Sequence, residues 1–67
     1  MSERTEFVVL KRMGEKGKLF FEDIKKIIDR GVNKTHKFIN NMIRKELIEE
    51  LTPYTYVKKQ DNNHINM

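Results

Sequence analysis

The stretch Gly31-Val-Asn-Lys-Thr-His-Lys-Phe-Ile-Asn-Asn-Met-Ile-Arg-Lys-Glu-Leu-Ile48 decides how this chain is organised. It opens with a Gly-Val turn, and Asn33 is a favourable N-cap for a helix over about residues 34–45. Apolar side chains recur at helical spacing through this helix and give way to a β-prone pattern after it. The stretch therefore predicts one amphipathic helix that leads directly into a strand.

The two faces of this third predicted helix differ in chemistry. Its inner face holds Thr35, Phe38, Ile39 and Met42, with Ile43 at the border. Its polar face includes three asparagines, and residues 33–45 carry four cations and no acid. Because a solvated helix normally mixes both signs of charge, a face of one sign favours a polyanionic partner.

Two shorter helices are predicted before this stretch. The first spans about residues 3–13, has Phe7, Leu10 and Met13 on its inner face beside Val9 or Gly14, and is expected to stop at Gly14. A turn over residues 14–17 and an extended segment over residues 18–21 should follow.

The second helix is expected over about residues 22–30, with Gly31 as its stop. Ile24, Ile27 and Ile28 form its apolar stripe. Its start has no Ser, Thr, Asp or Asn in the capping position, although Glu22 and Asp23 favour the positive end of the helix dipole.

The end of the chain predicts a hairpin and a polar tail. Residues 47–51 and 54–58 are β-prone runs around Thr52-Pro53. Because Thr-Pro is not a preferred two-residue hairpin turn, we expect a longer loop or a special proline geometry. Residues 59–67 are polar and without period, so we expect a disordered tail after a single domain of residues 1–58.

Composition excludes several classes of protein. With 67 residues and no cysteine, the chain can form one small domain without disulfides or thiolate metal sites. Its longest apolar run, Phe7 to Leu10, is far short of the roughly 20 residues of a membrane span, so an intracellular, soluble protein is expected. His36 and His64 lack further ligands at metal-site spacing. No catalytic motif is present, so we expect no enzyme activity, cofactor or small-molecule ligand.

The order of helix, short strand, helix, turn, helix and hairpin resembles the winged helix-turn-helix family of DNA-binding domains over about residues 4–58. The segments that carry the resemblance are Phe21-Glu-Asp-Ile24, Gly31-Val-Asn33, Ile39 with Met42, and Lys45-Glu-Leu-Ile-Glu49. The resemblance implies a mainly α fold with a small β-hairpin (α+β): three helices plus a wing. It also implies that the third helix enters the major groove and that the hairpin reaches the DNA backbone or minor groove.

The chain departs from this family pattern in two places. Glu46 stands where the family often has a glycine before the first wing strand. The wing also carries Glu49 and Glu50 and no basic residue before Lys58. Since acids repel phosphate, Lys58 and Lys59 are the candidates for any wing contact with the DNA backbone.

The candidate DNA contacts lie on the third helix. An Arg can grip guanine, an Asn can pair with adenine, and lysines more often neutralise phosphates. His36 is interpreted as a polar surface residue or a phosphate contact. The alternative for the whole face is that it is an ordinary solvent-exposed helix surface without a partner. The candidates are Asn33, Lys34, Thr35, His36, Lys37, Asn40, Asn41 and Arg44.

The resemblance thus predicts a sequence-specific protein that binds double-stranded DNA and regulates transcription. Small regulators of this kind, many of them from archaea and their viruses, are often dimeric, and Val8 is the candidate dimer contact because it points away from the first helix's apolar stripe. Two alternatives stay open. The same fold could dock on an acidic protein surface, such as that of a polymerase or nuclease, or, with weaker support, bind RNA.

Overall fold

A computed structural model of the chain describes residues 3–59, which form three helices and one small sheet. The helices are α1 (Glu3–Lys16), α2 (Phe21–Ile28) and α3 (Val32–Arg44), and the strands are β1 (Leu19–Phe20), β2 (Ile48–Thr52) and β3 (Thr55–Lys58). The sheet is antiparallel, with strand order β1-β3-β2. The predicted α+β architecture of three helices plus a wing is confirmed, and β1 extends the β2–β3 hairpin, called the wing below, to three strands.

The core forms where the inner faces of the helices meet the sheet. Each helix and each strand contributes at least one buried apolar side chain. The predicted inner faces of α2 and α3 are confirmed, with Ile27 only partly buried at the edge. The buried apolar residues are Val9, Met13, Leu19, Phe21, Ile24, Ile28, Phe38, Ile39, Met42, Ile48 and Tyr56.

The first helix is longer than expected. Gly14 was the predicted stop, but it lies inside α1, and the helix continues to Lys16. The chain leaves the helix at Gly17, whose φ of +88° is left-handed and whose N–H donates to the Met13 carbonyl at 2.8 Å. A glycine weakens a helix by only about 1 kcal/mol, so Gly14 alone does not end one.

The buried face of α1 matches the prediction at Val9 and Met13 but not at Phe7. Val9 and Met13 are fully buried, whereas Phe7, expected in the core, is 66% exposed. Val9 and Met13 lie four residues apart and therefore on one side of the helix, while Phe7 lies about 160° around the helix from Val9. Val8 is 39% exposed and points away from the core as predicted.

The second helix begins at Phe21, one residue before the predicted range, and ends at Ile28, two residues before the predicted end. Its missing cap is compensated from within, because the Asp23 carboxylate accepts a hydrogen bond from the Phe20 N–H at 2.9 Å. Asp29 ends the helix with a left-handed φ of 55°, so Gly31 is not its stop. Asp adopts this conformation at less cost than most residues.

The third helix starts earlier than predicted, because its N-cap is Gly31 and not Asn33. The φ of Gly31 is +89°, which favours glycine. The Gly31 carbonyl accepts both the Thr35 N–H at 3.1 Å and the Thr35 hydroxyl at 2.7 Å. Asn33 therefore lies in the first turn, where its side chain is exposed and free of a capping role.

The exit from α3 to the wing is set by backbone geometry at Glu46. The Leu47 N–H donates to the Met42 carbonyl at 3.0 Å, and the Glu46 N–H donates to the Ile43 carbonyl at 2.9 Å. These two bonds form a Schellman motif, which places Glu46 at the position that favours glycine. Glu46 has a left-handed φ of 64°, so the departure from the family pattern leaves local strain at this turn.

Replacing Glu46 with Gly should therefore raise the free energy of unfolding by about 0.5–1 kcal/mol, because glycine adopts the left-handed conformation without strain. The matched control is Glu46→Ala, which removes the same charge and its 3.6 Å contact with Lys59 but retains the β-carbon. Urea denaturation of the two variants separates backbone strain from charge. Equal stability of the two variants would show that the turn is unstrained.

The wing turn has two residues, Pro53 and Tyr54, between the paired Thr52 and Thr55. The longer loop considered above is absent, and the irregularity lies instead in a register shift between Glu50 and Thr52 and in the φ of 65° at Tyr54. The Tyr54 carbonyl accepts the Phe21 N–H at 2.9 Å. The wing turn is therefore fixed to the start of α2.

The folded part includes one residue beyond the predicted boundary at residue 58. Lys59 follows β3, and its N–H donates to the Leu47 carbonyl at 3.0 Å, so this residue belongs to the folded part. The rest of the predicted tail, residues 60–67, lies outside the described residues. No helix between residues 3 and 59 is long and apolar enough to cross a membrane.

Candidate nucleic-acid interface

One face of α3 is free of contacts with the core and is polar along its whole length. Its members are all exposed, and we call them the α3 outer face: Asn33, Lys34, Lys37, Asn40, Asn41 and Arg44. Five residues of α3, among them Lys34, Asn40 and Arg44, line a shallow depression on this side, with the buried Phe38 at its base. Six of the eight predicted contact residues of α3 thus share one continuous exposed surface.

Thr35 is the exception among the predicted contacts. It is fully buried, and its hydroxyl donates to the Gly31 carbonyl. Thr35 occupies the same side of the helix as Phe38 and Ile39, so helical spacing carries it into the core. The prediction that it contacts DNA is wrong, because it has no exposed surface to offer.

The outer face carries unneutralised positive charge. The two ion pairs within residues 3–59 are Lys45 with Glu6, at 2.7 Å, and Lys59 with Glu46, at 3.6 Å. Neither pair involves Lys34, Lys37 or Arg44. Lys45, at the border of the face, is held by α1, whereas the three cations on the outer face remain available to an external anion.

The start of α3 differs from the starts of the other two helices. The first turns of α1 and α2 each contain two acids, and the first turn of α3 contains none. Acids near a helix N-terminus satisfy its partial positive charge. The N-terminus of α3 keeps that charge and adds Lys34 to it, which favours a phosphate near this end.

His36 lies at the border of the outer face, and its ring contacts α2. Its ring centroid is 4.7 Å from that of Phe21, and the Phe21 ring meets Tyr54 edge-on at 6.0 Å. These three rings connect α3, α2 and the wing turn. Sequence analysis did not find this contact, since its members are far apart in the chain and each is unremarkable in its own segment.

One acid of the wing, Glu50, is hydrogen-bonded within the hairpin. The Glu50 carboxylate accepts the Tyr54 N–H at 3.1 Å and lies 3.5 Å from the Tyr56 hydroxyl. Burial, and then the charge of Glu50, raises the pKa of Tyr56 above its ordinary value. Both Glu49 and Glu50 are exposed, but Glu50 also has a structural role in the hairpin.

The predicted basic contacts of the wing differ in availability. Lys58 and Lys59 are both exposed at the end of β3. Lys59 is near Glu46, but the ion pairs given above do not involve Lys58. Lys58 is therefore the better placed of the two to meet a phosphate.

The geometry of α3 suits a groove in double-stranded DNA. With 13 residues the helix is about 20 Å long, and the major groove of B-DNA, roughly 12 Å wide, admits a helix of this kind.

Among residues 3–59, no group of three or more His, Asp or Glu side chains is arranged to hold a metal ion. Comparison of the chain with protein-family models, curated proteins and solved structures found no match.

Proposed function

We propose that this protein binds double-stranded DNA by inserting α3 into the major groove and acts as an intracellular, DNA-associated transcription regulator. The observation that carries the proposal is the α3 outer face, which combines three free cations with three exposed asparagines and no acid. A helix at a protein surface without such a partner would normally carry acids for local pairing. A polyanion explains why this face has none.

The residues of the outer face divide by the contacts they can make. Asn40 and Arg44 lie one turn apart, and both carry the forked groups that recognise base edges. Lys34 and Lys37 lie nearer the helix start and offer point charges for phosphates. The proposed role of Lys58 is a phosphate contact from the wing.

The proposal includes a homodimer. A single helix of about 20 Å makes few base contacts, and two copies on adjacent half-sites multiply the affinity without new kinds of contact. Val8, exposed on α1, is the proposed dimer contact.

Titration of random-sequence duplex DNA at about 50 and 200 mM salt tests the proposal. Two or three phosphate contacts made by one bound subunit should lower its affinity roughly 10- to 40-fold between these conditions, because binding releases condensed counterions. Lys37→Ala should reduce the slope of log affinity against log salt by about one, whereas Arg12→Ala on the exposed side of α1 should leave it unchanged. Absence of binding at the lower salt would favour a protein-docking module instead, and a preference for duplex RNA would favour the RNA alternative.

A further inference from the structure

A second surface, on the opposite side of α1 from the core, has features that its own chain does not explain. We call it the α1 outer face, and all of its members are exposed: Arg4, Phe7, Val8, Lys11, Gly14 and Glu15. At about 100° per residue, Arg4, Val8, Lys11 and Glu15 lie within an arc of roughly 60°. Phe7 and Gly14 lie together along one border of that arc.

The charges at the two ends of this face are unfavourable for their own helix. Arg4 is in the first turn, where the helix dipole favours an acid, and Glu15 is in the last turn, where it favours a base. The two residues lie about 16 Å apart along the axis and cannot pair with each other. The ion pairs within residues 3–59 include neither of them.

We propose that α1 pairs in antiparallel orientation with α1 of a second copy of this chain. In the register centred between Val9 and Leu10, Arg4 lies opposite Glu15 of the second copy and Val8 lies opposite Lys11. Two-fold symmetry makes each contact twice. Each end charge then meets both an opposite charge and the end of a helix dipole that it stabilises.

The apolar border of the face fits the same register. In an antiparallel pair, each border of one helix faces the same border of the other, so Phe7 comes close to Gly14 of the second copy. Nothing lies within 4 Å of the position that a β-carbon on Gly14 would take, so the fold of one chain does not require glycine there. The missing side chain leaves space for the Phe7 ring, which is otherwise the most exposed large apolar side chain of the described residues.

The expected dimer is weak, because α1 has 14 residues and is only about 21 Å long. A pair of such helices buries less than the roughly 1,600 Å² of a standard stable interface. We expect a dissociation constant between about 10 µM and 1 mM. The inference gives a geometry to the dimer of the proposed function, and it does not depend on whether α3 binds DNA.

Charge reversal tests the register. Arg4→Glu and Glu15→Arg should each weaken self-association by about tenfold, measured by sedimentation equilibrium up to about 1 mM, since each places like charges opposite one another twice. Both substitutions place a charge that the helix dipole favours, so neither should lower the melting temperature measured at low protein concentration. Arg30→Glu, an equal change of charge at an exposed position between α2 and α3, should leave self-association unchanged.

Mixing the two variants supplies the decisive result. An equimolar mixture of Arg4→Glu with Glu15→Arg should associate at least as strongly as the wild type, because each mixed pair has opposite charges at both contacts. The doubly substituted chain should likewise recover self-association. A wild type that stays monomeric at about 1 mM, or a mixture that associates no better than its components, would overturn the antiparallel pairing. DNA titration of the same samples reports separately on α3.

Discussion

Met13→Ala is expected to lower the free energy of unfolding by about 2–5 kcal/mol, the cost of removing a fully buried side chain and leaving a cavity. A chain of 67 residues has a total stability of only about 3–10 kcal/mol, so this single change can remove half of it or more. In a domain of this size the melting temperature should fall by more than about 8 °C. Thermal and urea unfolding followed by circular dichroism measure both quantities.

The matched control is Phe7→Ala on the same helix. It removes a larger side chain than the first substitution does, yet Phe7 is mostly exposed, so its effect should stay within about 0.5 kcal/mol when measured at low protein concentration. If Phe7→Ala proved the more damaging of the two, α1 would have to be rotated so that Phe7 faces the core.

The second large effect is expected on DNA affinity. Asn40→Ala and Arg44→Ala should each weaken binding to a specific DNA site by about 1–3 kcal/mol of binding free energy. Such a site can be obtained by selection from randomised duplexes with the wild-type protein. The affinity of the same variants for random DNA should change little. Both side chains end in groups that can make two hydrogen bonds to one base, and such contacts discriminate between sequences.

Lys34→Ala and Lys37→Ala should behave differently, because a lysine near the helix start neutralises phosphate whatever the sequence. Each should weaken binding to specific and to random DNA about equally, and lower the slope of log affinity against log salt by about one. Wild-type binding by all four variants would mean that α3 does not read DNA, and docking on a protein would become the better proposal.

The contrast between α3 and α1 shows when the spacing of apolar residues predicts the buried face of a helix and when it does not. In α3 apolar residues recur at helical spacing among polar ones, and this pattern predicts that Phe38, Ile39 and Met42 lie in the core, as they do. In α1 four apolar residues stand in a row, Phe7 to Leu10, and cover all sides of the helix. Such a run does not show which of its members are buried, and the prediction that Phe7 lies in the core is wrong.

Helix ends were predicted less well than helix faces. The preference of glycine for helix ends predicts stops at Gly14 and Gly31, whereas the left-handed positions that close α2 and α3 are Asp29 and Glu46. The preference for glycine at such positions is about 1 kcal/mol, which is small beside the burial of neighbouring core side chains. Packing therefore decides where the chain turns, and a residue of higher local energy is tolerated there.

The sequence by itself determined the order of the elements, the polar outer face of α3 and the excess of positive charge on it, because these follow from residue type and periodicity within one segment. Only the tertiary structure decided that Phe7 lies outside the core, that Glu6 forms an ion pair with Lys45, and that the His36 ring packs at a tilt against Phe21. Each of these depends on residues distant in the chain. Their proximity results from packing the helices and sheet around one core, and no local pattern specifies it.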